Sequence, residues 1–197
     1  MNRRLKMSKL VSVTGLNNLC ASMNKNVYEC VSSFNSQHCV TDNTKIIIVG
    51  TITPPQGTNN GYFYTAPRNN IYGYIDEARG TNLKELKNKL NGGNMNNLKK
   101  TQIVGKIKDV LREQQIAFLD IMDKAIRKKD SCKDSDIAAY TLDESTFQNI
   151  PQGAKIICNS RLAEAGFKQI QKVLGSNLSY KYLSQRSGKK VEWIAEL

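Results

Sequence analysis

Residues 45–78 read KIIIVGTITPPQGTNNGYFYTAPRNNIYGYIDEA, and this stretch decides the fold. It opens with an apolar run, IIIV at residues 46–49, which is typical of a parallel strand buried on both faces. Gly50 ends the run, and the long loop that follows contains prolines and glycines that exclude helix and sheet interior. Loops longer than about 12 residues in compact domains are usually functional. Because open α/β sheets bind ligands at the carboxyl ends of their strands, we expect a site in this loop.

The chain carries a large positive charge. Its 197 residues suffice for one domain, or two small ones, with a real core, and its formal net charge is +12. An excess of this size argues for a polyanionic partner, either nucleic acid or an anionic membrane surface, and solubility without a specific partner is the alternative. No apolar run approaches the roughly 18 residues of a membrane span. The charge alone therefore leaves nucleic acid and an anionic membrane surface open, although we expect no membrane partner.

The cysteines and the single histidine argue against several kinds of site. The five cysteines are widely spread without a CxxC pair, which disfavours a disulfide framework, a zinc site and a cysteine-ligated iron–sulfur cluster. We expect reduced thiols, as in an intracellular protein. His38 is the only histidine and is expected at the surface, so a His-based triad or a multi-histidine metal site is nearly excluded. The cysteines are Cys20, Cys30, Cys39, Cys132 and Cys158.

Residues 1–40 are interpreted as a basic extension ahead of a single domain over residues 41–197. The beginning of the chain is basic and rich in Asn and Ser, with a weak apolar pattern, and we expect no secretory signal. A poorly ordered extension is the favoured interpretation, with a transit peptide or a DNA-touching arm as alternatives. Residues 27–34 are compatible with one short helix before the first strand.

Strand and helix patterns alternate along the rest of the chain. Further strands are predicted at residues 116–121, 154–158 and 178–183. Helices are predicted at residues 68–79, 83–90, 99–113, 143–150 and 161–174, and around Trp193. Residues 124–136 are interpreted as a polar loop. This alternation predicts an α/β fold with three α/β/α layers and a central, mainly parallel four-stranded sheet.

The predicted strands all point their carboxyl ends to one edge of the sheet. Along that edge the sequence places residues 51–69, Asp120 with the basic loop after it, residues 159–160 and residues 184–190. These segments supply amides, hydroxyls, one carboxylate, cations and aromatic rings, but no nucleophile–base pair, no paired carboxylates and no Gly-rich phosphate loop. Such groups suit a pocket that stacks a flat ring on an aromatic side chain and hydrogen-bonds its edge, beside loops that bind phosphates.

Four segments of the sequence carry a recognisable pattern. The first, IIIVGTITPP followed by GYFYTAPRNNIYGYI, resembles the first motif and the following helix of the uracil-DNA glycosylase superfamily, most closely the branch called hypoxanthine-DNA glycosylase. QQIAFLDIMDKAIRKKDSCKDSDI is similar to its G-I-A-L-x-D-V-x stretch. KIICNSRLAEAGF resembles its third strand and helix, and YLSQRSGKKVEW resembles its minor-groove loop. The first motif here lacks the second glycine of G-S-x-P-G, and it lacks the Asp or Asn that other branches use there.

The resemblance implies a three-layer glycosylase fold and a monofunctional DNA glycosylase. Such an enzyme flips a deaminated base, uracil or hypoxanthine, into a pocket, and water then cleaves the N-glycosidic bond without a cofactor or metal. Asn69 would position the water, and the alternative is that it caps the next helix. The base pocket would comprise Gly50, Thr51, Ile52, Tyr64, Asp120 and Asn159.

Three of these pocket residues have an alternative interpretation. Tyr64 would stack on the flipped base, or it is a core aromatic. Asp120 would accept an N–H from the base, or it pairs with Arg127. Asn159 would line the pocket, or it caps a loop.

The resemblance also implies a DNA-binding rim beside the pocket. It further implies a monomeric, intracellular protein, located in the cytoplasm, the nucleoid or the nucleus. The DNA would be double-stranded, with single strands as a further possibility. Gln185 or Arg186 would fill the gap left by the flipped base, and the two lysines would contact phosphates unless they form a solvated face. The implied rim residues are Arg68, Ser184, Gln185, Arg186, Ser187, Lys189 and Lys190.

Two alternatives to an active glycosylase stay open. One is a nucleic-acid-binding module that keeps the groove and the base pocket but has lost hydrolysis. The other is an unrelated α/β enzyme that acts on a small phosphorylated metabolite, although the sequence shows no phosphate-binding signature for it.

Overall fold

The computed structural model describes residues 9–54, 59–93, 95–129, 131, 133–185 and 188–197. Within this part of the chain the strands are β1 (Lys9–Leu10), β2 (Tyr28–Ser32), β3 (Ile46–Gly50), β4 (Ile116–Asp120), β5 (Met122–Lys128), β6 (Ile137–Leu142), β7 (Lys155–Cys158) and β8 (Tyr180–Tyr182). The helices are α1 (Val13–Ser22), α2 (Ile71–Arg79), α3 (Leu83–Asn91), α4 (Asn97–Glu113), α5 (Glu144–Phe147), α6 (Arg161–Leu174) and α7 (Lys190–Glu196).

A parallel sheet of four strands, in the order β4-β3-β7-β8, holds the core. The middle strand β3 pairs with β4 on one side and with β7 on the other, and every residue of β3 and β4 is buried. Their apolar side chains can fill both faces because helices cover the sheet. The predicted α/β architecture with a parallel four-stranded sheet flanked by helices is therefore confirmed, and its four predicted strands correspond to β3, β4, β7 and β8.

Local signals in the sequence determine where the helices begin and end. The Ser160 hydroxyl accepts a hydrogen bond of 3.1 Å from the Ala163 N–H and caps the start of α6. Gly175 ends α6 and Gly80 ends α2 in the left-handed conformation, with φ angles of 60° and 66°. Helix α5 is shorter than the predicted helix at residues 143–150 and begins after an Asp143 cap.

A second sheet, in the order β1-β6-β5-β2, was not predicted from the sequence. The helix predicted at residues 27–34 is wrong, because this segment contains strand β2, which pairs antiparallel with β5. The polar loop predicted at residues 124–136 is also wrong in its first half, which continues β5. Residues 9–32, interpreted as part of an extension, supply two strands and a helix that pack on β5 and β6.

These errors have a common physical cause. The strands β2 and β5 carry charged residues and have mixed burial, so they lack the continuous apolar run of a parallel strand. Arg127 in β5 is the clearest case, because its side chain is 1% exposed although its charge predicts a surface position.

The cysteines also differ from expectation. Cys20 of α1 and Cys30 of β2 form a disulfide with a Cα–Cα distance of 6.2 Å, so the prediction of reduced thiols is wrong for this pair. Cys39 and Cys158 are free and buried, and Cys132 lies outside the described residues. In the part of the chain that the structure describes, no cluster of metal-ligating side chains is present. No helix there is long and apolar enough to cross a membrane.

Gly166 provides a test of how α6 packs. A Cβ added at Gly166 would lie 2.8 Å from Ile121 Cγ1 and 3.2 Å from Leu142 Cδ2. We expect Gly166→Ala to lower the free energy of unfolding by about 1–3 kcal/mol, because it overpacks this contact. Urea denaturation measures the change.

Gly105 of α4 is the matched control, because a Cβ added there meets no atom within 4 Å. We expect Gly105→Ala to be neutral or to raise the free energy of unfolding by about 0.5–1 kcal/mol through helix propensity. Equal effects of the two substitutions would contradict the close approach of α6 to Ile121.

Candidate active site

A cleft of about 1090 Å³ opens at the carboxyl ends of β3, β4 and β7. Four separate segments of the chain converge on it, as the strand order predicts. Most of the residues that the sequence analysis selected lie on this cleft: Gly50, Thr51, Ile52, Tyr64, Arg68, Asn69, Asp120, Asn159, Ser184 and Gln185.

The register of the sheet explains why these residues meet. Gly50, the last residue of β3, is paired with Asp120, the last residue of β4. On the other side of β3, Val49 is paired with Cys158, and the N–H of Asn159 donates to the Val49 carbonyl at 3.0 Å. The three strands therefore end at one level, where their next side chains face the same cleft.

Asp120 is a buried carboxylate at the bottom of the cleft, with 3% exposure. Its Oδ2 accepts hydrogen bonds from the Thr53 N–H at 2.9 Å and the Thr53 hydroxyl at 3.0 Å. Burial nevertheless raises the pKa of Asp120 to about 6, and Thr53 and the charge of Arg127 oppose that rise. Arg127 itself forms an ion pair with Asp134, with an Nη2–Oδ1 distance of 3.9 Å.

Asn35 holds Asp120 from behind and was missed by the sequence analysis. Its Oδ1 accepts from the Asp120 N–H at 2.8 Å, and its Nδ2 donates to the Asp120 carbonyl at 2.7 Å. The same Nδ2 donates to Asp143 Oδ2 at 2.7 Å. Asn35 lies 85 positions before Asp120, so no local pattern could have revealed this contact.

Tyr64 combines an unusual backbone conformation with a polar contact across the cleft. Its φ angle of 54° lies in the left-handed region, which is strained for a bulky residue. Its ring packs edge-on against Phe118, with centroids 4.8 Å apart, and its hydroxyl accepts from Asn159 Nδ2 at 2.8 Å. A Cβ added at Gly50 would lie 2.7 Å from this hydroxyl, so the close approach requires glycine there. Burial raises the pKa of Tyr64 well above its usual value, so the phenol stays protonated.

Asn69 lines the cleft and also supports the start of α2. Its Oδ1 accepts from the Ile71 N–H at 3.0 Å, which fits the capping alternative. Its Nδ2 donates to Gln185 Oε1 at 3.0 Å and so joins two of the converging segments. The geometry is thus compatible with a capping role and with a place at the site.

The predicted DNA-binding rim is only partly on the cleft. Lys189 forms an ion pair with Glu192, and Lys190 pairs with Glu77 at 2.7 Å. Neither lysine lines the cleft, and the partner glutamates were not anticipated. The carbonyl of Ser184 accepts from the Trp193 indole N–H at 2.9 Å, which anchors the first of the consecutive rim residues that begin at position 184. Arg186 and Ser187 lie outside the described residues.

Several further residues line the cleft, to which the sequence analysis assigned no individual role although most lie in segments that it placed at this edge. The Thr51 hydroxyl donates to Asp134 Oδ1 at 2.8 Å, which joins the first loop to the segment after β5. The polar composition of the segment after β5 was the only sequence signal for these residues. Their side chains could not be placed at the cleft, because β5 belongs to the second sheet, which was not predicted. The additional lining residues are Thr53, Pro54, Ala66, Pro67, Arg127, Lys133, Asp134, Ser135 and Ser160.

The raised pKa of Asp120 predicts a pH dependence of stability. Because the folded state binds this proton more tightly than the unfolded state, the carboxyl favours folding most at low pH. That contribution is lost as the pH rises from the usual value of 3.8 to about 6. The loss has a slope of about 1.4 kcal/mol per pH unit. We expect urea denaturation between pH 4 and pH 7 to show this slope as a difference between the wild type and Asp120→Asn.

Asp42→Asn, at an exposed carboxylate, serves as the control and should keep the wild-type dependence. If Asp120→Asn also keeps it, Asp120 does not titrate near pH 6 in the folded protein.

Comparison with known proteins gives one structural relation. No family model and no curated protein matches the sequence. The fold is similar to the solution structure of a "putative Uracil DNA glycosylase" from Methanosarcina acetivorans, with a TM-score of 0.55 and 21% sequence identity. The match covers 80% of this chain and 91% of that chain. The chain therefore has a uracil-DNA glycosylase-like α/β fold.

Proposed function

We propose that this protein is a monofunctional DNA glycosylase that removes uracil or hypoxanthine from DNA in base excision repair. The observation that carries the proposal is the convergence of four side chains, Asn69, Tyr64, Asp120 and Asn159, on one cleft at the carboxyl ends of the parallel strands. A ring platform, a buried acceptor and two carboxamides are the groups that a slot for an extruded base needs. The similar fold from Methanosarcina acetivorans is that of a "putative Uracil DNA glycosylase", which agrees with this assignment.

The reaction requires a positioned water and a stabilised leaving group. The water oxygen forms a bond to C1′ of the deoxyribose while the C1′–N bond breaks, and the bonding electrons leave with the base. The attacking water loses one proton and the departing base takes one up, so the step yields the abasic sugar and the free base without a net change in protons. Asn69 positions the water through its carboxamide. In this structure Asn69 Nδ2 donates to Gln185 Oε1, and the water takes the place of that oxygen. A carboxamide is a weak base, but orientation is sufficient when the glycosidic bond is largely broken in the transition state.

Base selection follows from the chemistry of Asp120 and Tyr64. Uracil and hypoxanthine carry a ring N–H that cytosine and adenine lack, and an ionised Asp120 accepts it. The ring of Tyr64 stacks on the base, and Asn159, held against the Tyr64 hydroxyl, lines the other side of the slot. This arrangement favours both deaminated bases over the bases from which they derive.

DNA binding depends on the positive charge of the chain and on the rim of the cleft. Arg68, Ser184 and Gln185 lie at the cleft, where they contact the strand that carries the flipped base. Lys189 and Lys190 exchange their glutamate partners for phosphates when duplex DNA binds, and Arg186 and Ser187 complete the same segment. Single-stranded DNA offers the same phosphates and is therefore a further possible substrate. We infer that the protein acts as a monomer in an intracellular compartment, because one chain contains every group that the reaction needs.

The proposal is tested by single-turnover assays on duplexes that contain one uracil, hypoxanthine or xanthine, with alkali cleavage of the abasic product. We expect product from uracil or hypoxanthine, and we expect Asn69→Ala to lower the rate by about 10²-fold or more, because the water loses its orientation. Asn70→Ala is the control, since Asn70 is the same residue type, is exposed and makes no side-chain cap. Its rate should equal that of the wild type.

One outcome would overturn the proposal, and another would correct the role of Asn69. Salt-sensitive DNA binding without product from any duplex would favour the alternative, an inactive nucleic-acid-binding module. The hydrogen bond from the Ile71 N–H to Asn69 is the observation that favours that alternative, because it gives Asn69 a structural role. Product formation that Asn69→Ala leaves unchanged would remove Asn69 from the reaction.

The pKa of Asp120 predicts how the rate depends on pH. Asp120 must be ionised to accept the ring N–H, and its pKa is about 6, so the acceptor is lost as the pH falls below 6. We expect the single-turnover rate at pH 5 to be about tenfold below its value at neutral pH. Asp120→Asn should be slower at neutral pH and should lose this acidic limb. An unchanged acidic limb in the variant would assign it to another group.

A further inference from the structure

Helix α3 presents two polar side chains to the segment that carries Asn69. The ammonium of Lys87 donates hydrogen bonds to the carbonyl oxygens of Pro67 at 3.0 Å and of Asn69 at 2.7 Å. One helical turn later, Asn91 Nδ2 donates to the carbonyl oxygen of Thr65 at 2.9 Å. The bonded carbonyls alternate along the chain, so one edge of this segment faces α3.

Two more side chains extend the same pattern. The Tyr72 hydroxyl donates to the Phe63 carbonyl at 2.8 Å. Asn60 Nδ2 donates to the Thr65 carbonyl at 3.1 Å and to Asn91 Oδ1 at 2.9 Å. Side chains thus hold every second carbonyl from residue 63 to residue 69, although this segment is neither helix nor strand.

Lys87 is unusual among the lysines of α3 because it is 4% exposed. Burial lowers the pKa of its ammonium, and burying such a charge costs several kcal/mol unless hydrogen bonds compensate. The two main-chain carbonyls supply that compensation through charge-assisted bonds. By contrast, Lys84 and Lys89 are exposed, and Lys89 forms a surface ion pair with Glu85. The position of Lys87 is therefore specific to the segment that it holds.

The helix that carries these side chains is itself fixed to α2. Asp76 of α2 accepts hydrogen bonds from the Leu83 N–H at 2.7 Å, the Lys84 N–H at 2.8 Å and the Thr81 hydroxyl at 2.6 Å. Because α2 begins directly after the segment with Asn69, the contacts form a closed unit. The segment leads into α2, α2 fixes α3, and α3 returns to hold the segment.

We propose that Lys87 and Asn91 are positioning residues, a carbonyl clamp that sets the place of Arg68 and Asn69 at the mouth of the cleft. This inference rests on the proposed function, in which Asn69 orients the attacking water. The clamp holds the main chain, so its loss displaces the reacting geometry more than it weakens contacts with DNA. A displacement of about 1 Å at a reacting group can cost about 10²-fold in rate.

The decisive comparison is between Lys87→Met and Lys84→Met. Both substitutions remove one positive charge from α3, so any general loss of attraction to DNA is common to them. We expect Lys87→Met to lower the single-turnover rate by about 10- to 10²-fold, with a Kd for the lesion duplex equal to that of Lys84→Met. Lys87→Arg, which keeps charged donors, should recover part of the rate. Two results would overturn the clamp. One is that Lys87→Met weakens only the Kd for the lesion duplex, and the other is that both methionine variants lose the same fraction of the single-turnover rate.

A second readout does not depend on activity. Trypsin cleaves after Arg68, which is exposed and lies between the two carbonyls that Lys87 holds. We expect the Arg68–Asn69 bond to be cut faster in Lys87→Met than in the wild type or Lys84→Met, as measured by mass spectrometry under native conditions. Equal cleavage rates at this bond in all three proteins would overturn the clamp.

These readouts separate the clamp from the proposed function. If the wild type releases no base from any duplex, the glycosylase proposal fails and the cleavage rate at Arg68 alone decides the clamp. If Lys87→Met loses its cooperative unfolding transition, Asn91→Ala replaces it, because Asn91 is exposed and its loss removes the bond from α3 to the Thr65 carbonyl together with the contact from Asn60 Nδ2. An Asn91→Ala protein with wild-type rate and wild-type cleavage would then overturn the proposal.

Discussion

The parallel pairing of β3 with β4 determines where the polar groups of the cleft lie. Neighbouring strands are about 4.8 Å apart, so the in-register pair of Gly50 and Asp120 places the start of the first loop beside the buried carboxylate. Gly50 leaves room for the Tyr64 hydroxyl, which no larger residue would permit. The same register that fills the core with apolar side chains therefore also builds the pocket. A shift of one residue would turn these groups to the other face of the sheet.

Two buried charges support the cleft in different ways. Asp120 is held by hydrogen bonds from Thr53, yet its burial raises its pKa to about 6. Within the part of the chain that the structure describes, Lys87 has no carboxylate partner, and main-chain carbonyls satisfy its ammonium instead. The carboxylate of Asp120 faces the cleft, whereas the ammonium of Lys87 supports the segment that carries Asn69 at its edge. Both cost desolvation energy, which the hydrogen bonds around them offset.

The sequence was informative where a single physical effect dominates. The run at residues 46–49 is apolar because β3 is buried on both faces, and strands of this kind can be recognised without a structure. Their carboxyl ends then led to Asp120 and Asn159. The second sheet was missed because β2 and β5 mix charged and apolar residues and gain their burial only from tertiary packing. Contacts between distant segments, such as Lys190 with Glu77, leave no trace in local spacing.

The hydrogen bonds of Asn35 change how the beginning of the chain must be interpreted. This residue belongs to residues 1–40, which the sequence analysis interprets as an extension, yet its amide both donates to and accepts from the backbone of Asp120. Removing residues 1–40 would therefore withdraw a support from the interior of the pocket. A truncated protein could therefore lose activity because its pocket is distorted. That loss should not be attributed to a missing nucleic-acid-binding tail.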